Sequence, residues 1–242
     1  MTWFAKWFDS KYYHILYNYR DEKEAKKFIN NLIKKLNIKK KSKLLDIACG
    51  KGRHANYFNK KGMDVTGIDL SKNSINYANT FSNASLSFHV HDMRKIFKEN
   101  YFDIVTNLFT SFGYFENKDD NLITLQRMSQ NLKNNGLLII DFMNTKKVID
   151  NLIPNEKKNI HNINFNIKRY IKNNYIIKEI EVIDNKIKKR FQEKVQCINL
   201  KIFQDLIKKS NLKIVNIFGD YELNEYSESC SDRLILICKN NY

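Results

Sequence analysis

The chain has 242 residues, of which 43% are hydrophobic and 13% aromatic, and its formal net charge is +16. This composition is typical of a globular chain long enough to bury a sizeable core. No stretch approaches the roughly 18 apolar residues of a membrane span, and the N-terminus lacks the basic-then-apolar order of a signal peptide. We therefore expect no membrane partner.

The positive charge comes mainly from lysine, since only 7 of the 42 basic residues are arginine. Proteins that read phosphates and bases favour arginine for its bidentate fork, so nucleic acid is disfavoured as a partner and an AT-rich codon bias explains the lysines. The four cysteines (Cys49, Cys197, Cys230 and Cys238) form no CxxC pair and no zinc-ligand spacing. We expect no metal site, and free thiols in a reducing cytoplasm.

Residues 1–40 are predicted to form an N-terminal helical segment. Residues 3–20 are rich in aromatic side chains, and residues 21–37 place apolar side chains at helical spacing on one face. This segment is expected either to join the core or to act as a lid over a site.

From residue 43 onwards, apolar runs alternate with helical patterns. The runs KLLDIA, DVTGID, LSFHV, FDIVTNL and GLLIIDF are predicted strands, and RHANYFNKKG, SKNSINYANTF and DNLITLQRMSQNLKNNG are predicted helices, the last ending at Gly136. Such alternation predicts an α/β fold, with a parallel sheet covered by helices on both faces.

Residues 145–198 break this rhythm. After a short helical piece ending near Pro154, the segments INFNIKRYI, IIKEIEVI and KRFQEKVQCI alternate with period two and predict an inserted antiparallel meander. The α/β pattern then resumes with a helix over 200–212 and strands over 213–218 and 231–239. Only a loop joins these two strands, so they should pair antiparallel.

Residues 46–52 read Asp-Ile-Ala-Cys-Gly-Lys-Gly, at the predicted end of the first strand. Gly50 and Gly52 permit positive φ and a close approach of ligand to backbone, and the helix that follows offers free N–H groups. In an open parallel sheet, ligands bind outside the carboxyl ends of the strands. The loop is therefore a candidate ligand site.

Two further acids follow predicted strands. Asp69 ends the second strand, where a carboxylate can bind both hydroxyls of a ribose, and Asp92 lies beside Met93, where it can bind an adenine amino group. With Asp46 they indicate a nucleoside that carries a positively charged group. The chain has no Walker GKT or GKS and no GxGxxG fingerprint, which disfavours phosphate and nicotinamide sites.

Residues 44–141 resemble the class I S-adenosylmethionine-dependent methyltransferases. The family motif D/E-x-G-x-G-x-G corresponds to residues 46–52, with Ala48 at the first glycine, and FDIVTNLFTSFGYFE resembles the fourth strand and its loop. The resemblance implies a single domain over 1–242: a Rossmann-like doubly wound seven-stranded sheet with an antiparallel last strand, plus the inserted meander at 145–198.

The resemblance also implies the residues that bind S-adenosylmethionine. They are Asp46, Ala48, Cys49, Gly50, Gly52, Asp69, Leu70, Asp92, Met93, Asn107 and Phe109, with Arg20 and Arg53 as candidates for the methionine carboxylate.

The string CGKGRHA and the insertion resemble the bacterial branch that acts on small molecules, which implies in-line methyl transfer to a nitrogen or oxygen atom. The insertion is expected to cover the acceptor site, although it could equally form a homodimer interface. His14 and Tyr114 are candidate catalytic residues. The alternatives are a binding module without turnover and an RNA or protein methyltransferase. Enzymes that methylate amino groups of nucleic acids are disfavoured because Asn107-Leu-Phe-Thr lacks their Pro-Pro pair.

Overall fold

The structure is a computed structural model, and it describes residues 3–17, 22–117 and 119–240. The N-terminal segment contains three helices: α1 (Trp3–Phe8), α2 (Lys11–Leu16) and α3 (Glu22–Lys35). Ser10 separates the first two, because its hydroxyl accepts the N–H of Tyr13 and caps α2. Arg20, one of the predicted cofactor ligands, lies outside the described residues.

The central α/β unit runs through five strands and three helices, as the sequence predicts. In chain order they are β1 (Lys43–Ile47), α4 (Arg53–Lys60), β2 (Asp64–Asp69), α5 (Lys72–Ala78), β3 (Leu86–Val90), β4 (Phe102–Asn107), α6 (Asp119–Asn131) and β5 (Leu132–Met143).

The remaining elements are an insertion and the return to the central sheet. They are α7 (Thr145–Asp150), β6 (Asn155–Ile160), β7 (Ile163–Lys172), β8 (Tyr175–Asp184), β9 (Ile187–Gln196), α8 (Leu200–Lys208), β10 (Leu212–Phe218) and β11 (Arg233–Asn240).

The central sheet has seven strands in the order β10-β11-β5-β4-β1-β2-β3. Strands β1 to β5 pair in parallel, whereas β11 is antiparallel to both β5 and β10. The predicted Rossmann-like sheet with an antiparallel last strand is therefore confirmed. Because β1 to β4 are parallel, their carboxyl ends lie along one edge, where the predicted site residues occur.

The helix predicted to end at Gly136 is shorter in the structure. It ends at Asn131, whose side-chain oxygen accepts the N–H groups of Phe97 and Lys98 at 3.0 and 2.8 Å. Leu132 already pairs with Phe102 in the sheet, so the prediction of Gly136 as the helix stop was wrong. Burial of Leu132 in the sheet is what ends the helix.

The insertion forms a separate sheet of four antiparallel strands, β6-β7-β8-β9, rather than the three that the sequence predicts. The missed strand, β6, reads NEKKNI and pairs with β7 alone. Its sequence carries almost no apolar signal because it is an edge strand with one solvated face.

Three apolar clusters hold these layers together. Two of them cover the opposite faces of the central sheet, one including Phe28 and Phe58 and the other including Phe142 and Phe203. The third joins Trp7 of α1 to Phe165 of the inserted sheet. Within the described ranges, no helix is both long and apolar enough to cross a bilayer.

Candidate cofactor-binding site

The loop that follows β1 has the backbone conformation that its glycines predict. Gly50 and Gly52 have φ angles of +55° and +79°, and a Cβ at Gly50 would meet nothing within 4 Å. Ala48, where the family motif has glycine, also has a positive φ of 59°. The backbone at Gly50 is therefore open to a ligand.

Gly52 begins α4 and meets a different constraint. A Cβ there would lie 2.7 Å from the ring of Phe88 in β3, and a Cβ at Gly67 in β2 would lie 2.5 Å from the same ring. The Phe88 ring fills the space that both glycines leave. This packing fixes the loop against β2 and β3.

Asp46 is buried near the end of β1, beside Thr106 of β4. The Thr106 hydroxyl donates to Asp46 Oδ1 at 2.8 Å, whereas Asp46 Oδ2 is buried without a hydrogen-bond partner among the described residues. Burial raises the pKa of Asp46 to about 7, against the opposing effect of the Thr106 hydrogen bond. Asp46 forms no ion pair with a described residue, although a buried charge needs a positive partner.

Asn107, at the end of β4, has the same feature. Its Nδ2 donates to the carbonyl oxygen of Ile47 at 3.1 Å, but its buried Oδ1 has no partner within the part of the chain that the structure describes. Because β1 and β4 are adjacent, two buried acceptor oxygens without donors lie at neighbouring strand ends. Such a pair fits a ligand that brings an ammonium group.

Asp69 lies at the end of β2 and connects two loops. Its Oδ2 accepts the N–H of Gly50 at 2.8 Å, and its Oδ1 accepts the N–H of Ser71 at 2.8 Å. Burial raises its pKa. Each carboxylate oxygen has a second lone pair, so both can still accept ribose hydroxyls. Leu70, the next residue, is 42% exposed and accessible to a ligand.

Asp92, after β3, is held by Arg94. Three hydrogen bonds from the guanidinium group join the two side chains, the shortest 2.7 Å from Nη2 to Oδ2, and Arg94 also contacts Asp120 of α6 at 2.8 Å. Burial opposes the charge on Asp92, but the hydrogen bonds and charge of Arg94 prevail and lower its pKa. Asp92 is thus ionised and oriented, with Met93 half-buried beside it.

The side chains around Phe109 include the predicted residue Arg53. Its guanidinium lies 5.0 Å from the centre of the Phe109 ring, and its Nη2 lies 3.4 Å from Nε2 of the buried His54. Cys49 is buried in the glycine loop, where its N–H donates to the Ile68 carbonyl oxygen at 3.0 Å. Arg53 therefore lies beside Phe109 at the start of α4, and Cys49 is buried within the glycine loop.

The N-terminal helices lie over this edge of the sheet. Asp9, between α1 and α2, accepts the hydroxyl of Ser71 at 2.5 Å and the side-chain amide of Asn73 at 2.7 Å. Burial and the charge of Lys51 in the glycine loop lower the pKa of His14 to about 4. The hydroxyl of Tyr114 donates to the carbonyl oxygen of Thr110.

Sequence reasoning missed several polar residues around the site, among them Asp9 and Thr106. It also missed a buried group in the C-terminal half. Asp141 of β5 accepts from Arg233 of β11 at 2.7 Å and from the hydroxyl of Tyr221 at 3.0 Å. The signal for Asp141 was present, because it comes near the end of an apolar strand just as Asp46 does.

Comparison with known proteins agrees with this geometry. Residues 44–136 match the family model described as "Methyltransferase domain". A crystal structure of an S-adenosylmethionine-dependent methyltransferase from Clostridium acetobutylicum superimposes with a TM-score of 0.79 at 20% identity, over 96% of each chain. The family match thus covers residues 44–136, and the structural likeness shows that the chain has the fold of that methyltransferase.

Two curated relatives share the methyltransferase domain. A dTDP-3-amino-3,4,6-trideoxy-alpha-D-glucopyranose N,N-dimethyltransferase from Streptomyces venezuelae is 30% identical over 101 residues, 41% of this chain and 42% of the relative. A demethylmenaquinone methyltransferase from Staphylococcus aureus is 31% identical over 137 residues, 54% of this chain and 55% of the relative. The chain spans about half the length of the curated relatives it matches.

Proposed function

We propose that this chain transfers a methyl group from S-adenosylmethionine to a nitrogen or oxygen atom of a small-molecule acceptor. The observation that carries the proposal is the buried Asp46 Oδ2, which has no hydrogen-bond partner among the described residues and lies in the strand that leads into the open glycine loop. Asn107 Oδ1, at the end of the adjacent strand β4, has the same feature. The cofactor brings the ammonium group that this pair lacks.

The cofactor contacts follow from the chemistry of each strand end. Asp46 and Asn107 bind the ammonium group of the methionine part, and Arg53 pairs with its carboxylate. Asp69 binds the ribose hydroxyls. Asp92, kept ionised by Arg94, accepts from the adenine amino group, while Met93 covers the ring.

We propose that the acceptor binds under the insertion at 145–198, with residues 1–40 as the lid. A cavity of about 870 Å³ lies between α1 and the inserted sheet, and its lining includes Trp3, Lys6, Glu156 and Phe191. The Trp3 ring also packs 5.6 Å from Tyr114, which hydrogen-bonds the loop after β4. This continuity supports a path from the cavity to the methyl group.

When bound, S-adenosylmethionine supplies a methyl group on a sulfonium sulfur, and the bond to sulfur breaks as the bond to the acceptor nitrogen or oxygen forms. The residues of this chain contribute alignment and exclusion of water, which account for up to about 7–11 kcal/mol in well-oriented reactions. Trp3, Phe8 and Tyr114 form an aromatic cover suited to excluding water.

A proton leaves the acceptor if it arrives protonated, and His14 is the candidate that can take it. Its low pKa keeps it neutral near pH 7, so it can accept a proton, although only as a weak base. Tyr114 already donates its hydroxyl proton to a backbone oxygen. This bond suits positioning better than base catalysis.

The Streptomyces venezuelae relative is by its name a sugar N,N-dimethyltransferase, which supports a small-molecule acceptor with an amine. The test incubates the purified chain with methyl-labelled S-adenosylmethionine and, separately, panels of amino sugars, small amines, hydroxylated small molecules, bulk RNA and protein. Label in a small molecule that Asp69→Ala abolishes supports the proposal. Label only in RNA or protein contradicts the acceptor class, and cofactor binding without any transfer favours a binding module.

We also propose a cytoplasmic location, because four free thiols suit a reducing compartment. We further propose that the insertion forms a homodimer interface, which would cover Ile153 and Ile187, 62% and 61% exposed at opposite ends of the inserted sheet. Light scattering of the wild type beside an Ile153→Lys, Ile187→Lys double variant tests it: a dimer mass that falls to the monomer mass supports the interface, and a monomeric wild type rejects it.

A further inference from the structure

The loop that follows β4 contains two consecutive non-glycine residues in the left-handed region. Phe109 has a φ of 65° and Thr110 a φ of 60°. This conformation is unfavourable for a residue with a side chain and persists only where the surroundings fix it. The loop begins directly after Asn107, one of the four described residues whose buried side-chain oxygens have no hydrogen-bond partner among the described residues.

A single residue binds both strained backbone positions. Asp141 Oδ2 accepts the N–H of Phe109 at 2.9 Å, and the backbone oxygen of Asp141 accepts the N–H of Thr110 at 2.9 Å. The side chain of Asp141 is fully buried. Removing the carboxylate would therefore release the first of these two bonds and leave the second.

Two further side chains complete the group. Arg233 donates from Nε to Asp141 Oδ1 at 2.7 Å and from Nη2 to the hydroxyl of Thr110 at 2.9 Å. The Tyr221 hydroxyl donates to Asp141 Oδ2 at 3.0 Å, and burial together with the charge of Asp141 raises its pKa, so it remains a donor. Asp141 is thus paired with a partly buried cation and accepts a hydrogen bond from a phenol.

The side chain of Phe109 is fixed by the same group. Its ring lies 6.5 Å from the Tyr221 ring at an interplanar angle of 24°, and the Arg233 guanidinium lies 5.8 Å from its centre. Asp141, Tyr221 and Arg233 all lie beyond residues 44–136, the part matched by the methyltransferase family model. The support is therefore supplied by the C-terminal part of this chain.

We propose that Asp141, Arg233 and Tyr221 are positioning residues for the amino-acid end of the cofactor. They hold Phe109 and Thr110 in the strained conformation, and this fixes the loop directly after Asn107, whose Oδ1 is one of the buried oxygens proposed to bind the ammonium group. The inference rests on the proposed cofactor. It goes further by assigning the orientation of the methionine part to residues that need not touch the cofactor.

The test separates the two ends of the ligand. Wild type, Asp141→Asn, Arg233→Lys and Tyr221→Phe are titrated calorimetrically with S-adenosylhomocysteine and with methylthioadenosine, which keeps the nucleoside and lacks the amino-acid end. Tyr221→Phe removes one hydroxyl and guards against loss of folding in the charge variants. Asp69→Ala removes the proposed ribose ligand and is the matched control, because it should weaken the binding of both ligands.

We expect Asp141→Asn and Arg233→Lys to weaken S-adenosylhomocysteine about tenfold or more, because hydrogen bonds to charged groups contribute about 1.5–3 kcal/mol each. Tyr221→Phe should weaken S-adenosylhomocysteine binding less. The affinity for methylthioadenosine should change less than about twofold in all three variants. Equal weakening of both ligands, or no change in either, would overturn the proposal. Failure of the wild type to bind either ligand would instead overturn the proposed cofactor.

Discussion

The backbone N–H of Gly50 donates to Asp69 Oδ2 at 2.8 Å, across the gap between the ends of β1 and β2. The bond orients the carboxylate and fixes the glycine loop with one contact. Preorganisation of this kind lowers the entropy that binding must offset. The same carboxylate is therefore both a structural part of the loop and the proposed ribose ligand.

Replacing Asp46 with asparagine should stabilise the free protein more at high pH than at low pH. The pKa of Asp46 is about 7 in the folded chain, above its ordinary value of 3.8. Between these values the folded state holds a proton that the unfolded state has lost, so its stability falls by about 1.4 kcal/mol per pH unit as pH rises. The asparagine side chain cannot titrate, yet its oxygen can still accept from Thr106.

Thermal unfolding of wild type and Asp46→Asn at pH 5 and pH 8 measures this effect. The unfolding temperature of Asp46→Asn minus that of the wild type should be larger at pH 8 than at pH 5. The same difference at both pH values would mean that Asp46 is not held with a raised pKa. Asp64→Asn, which removes an exposed acid at the other end of the neighbouring strand, is the matched control, and an equal pH effect in both variants would contradict the assignment to Asp46.

Ala48→Gly should leave stability unchanged or raise it by up to about 1 kcal/mol. Ala48 has a φ of 59°, a conformation that costs an L-residue roughly 1–2 kcal/mol and glycine almost nothing, while the greater freedom of unfolded glycine offsets part of the gain. Ala55→Gly within α4 is the matched control and should destabilise by about 1 kcal/mol or more. Urea unfolding measures the stability of both variants. Equal destabilisation by the two substitutions would contradict the positive φ at Ala48.

Asp9→Asn should loosen the N-terminal cover. The carboxylate binds Ser71 and two N–H groups of Asn73, and hydrogen bonds to a charged group contribute about 1.5–3 kcal/mol each. We expect limited proteolysis to cleave the first 20 residues several-fold faster, and the cofactor product to dissociate faster. Asp150→Asn, which breaks an exposed i,i+4 pair on α7, should change neither rate; equal effects of the two variants would argue against a lid.

The sheet could be predicted because most of its strands are short apolar runs separated by helical or polar segments. The edge strand β6 could not, since NEKKNI buries little and carries no period-two apolar pattern. The end of α6 was missed for the opposite reason: Leu132 continues the helical register in sequence but pairs with Phe102 in the sheet.

Asp46, Asp69 and Asp92 were identified because each lies near the carboxyl end of an apolar strand, at one edge of the sheet. The structure brings the first two beside the glycine loop, and Arg94 orients the third. The group of Asp141, Tyr221 and Arg233 was missed because it joins residues 80 and 92 positions apart, a distance over which a single sequence carries no pairing signal.

The measurement that tests the cofactor assignment most directly is calorimetric titration of the wild type with S-adenosylmethionine and with S-adenosylhomocysteine. Asp69→Ala serves as the variant, and Asp64→Ala on the same strand as its control. We predict micromolar binding of both ligands by wild type and Asp64→Ala, and weakening of more than about a hundredfold in Asp69→Ala, since two hydrogen bonds to a carboxylate are lost. Absence of binding in the wild type, or equal binding by Asp69→Ala, would contradict the assignment.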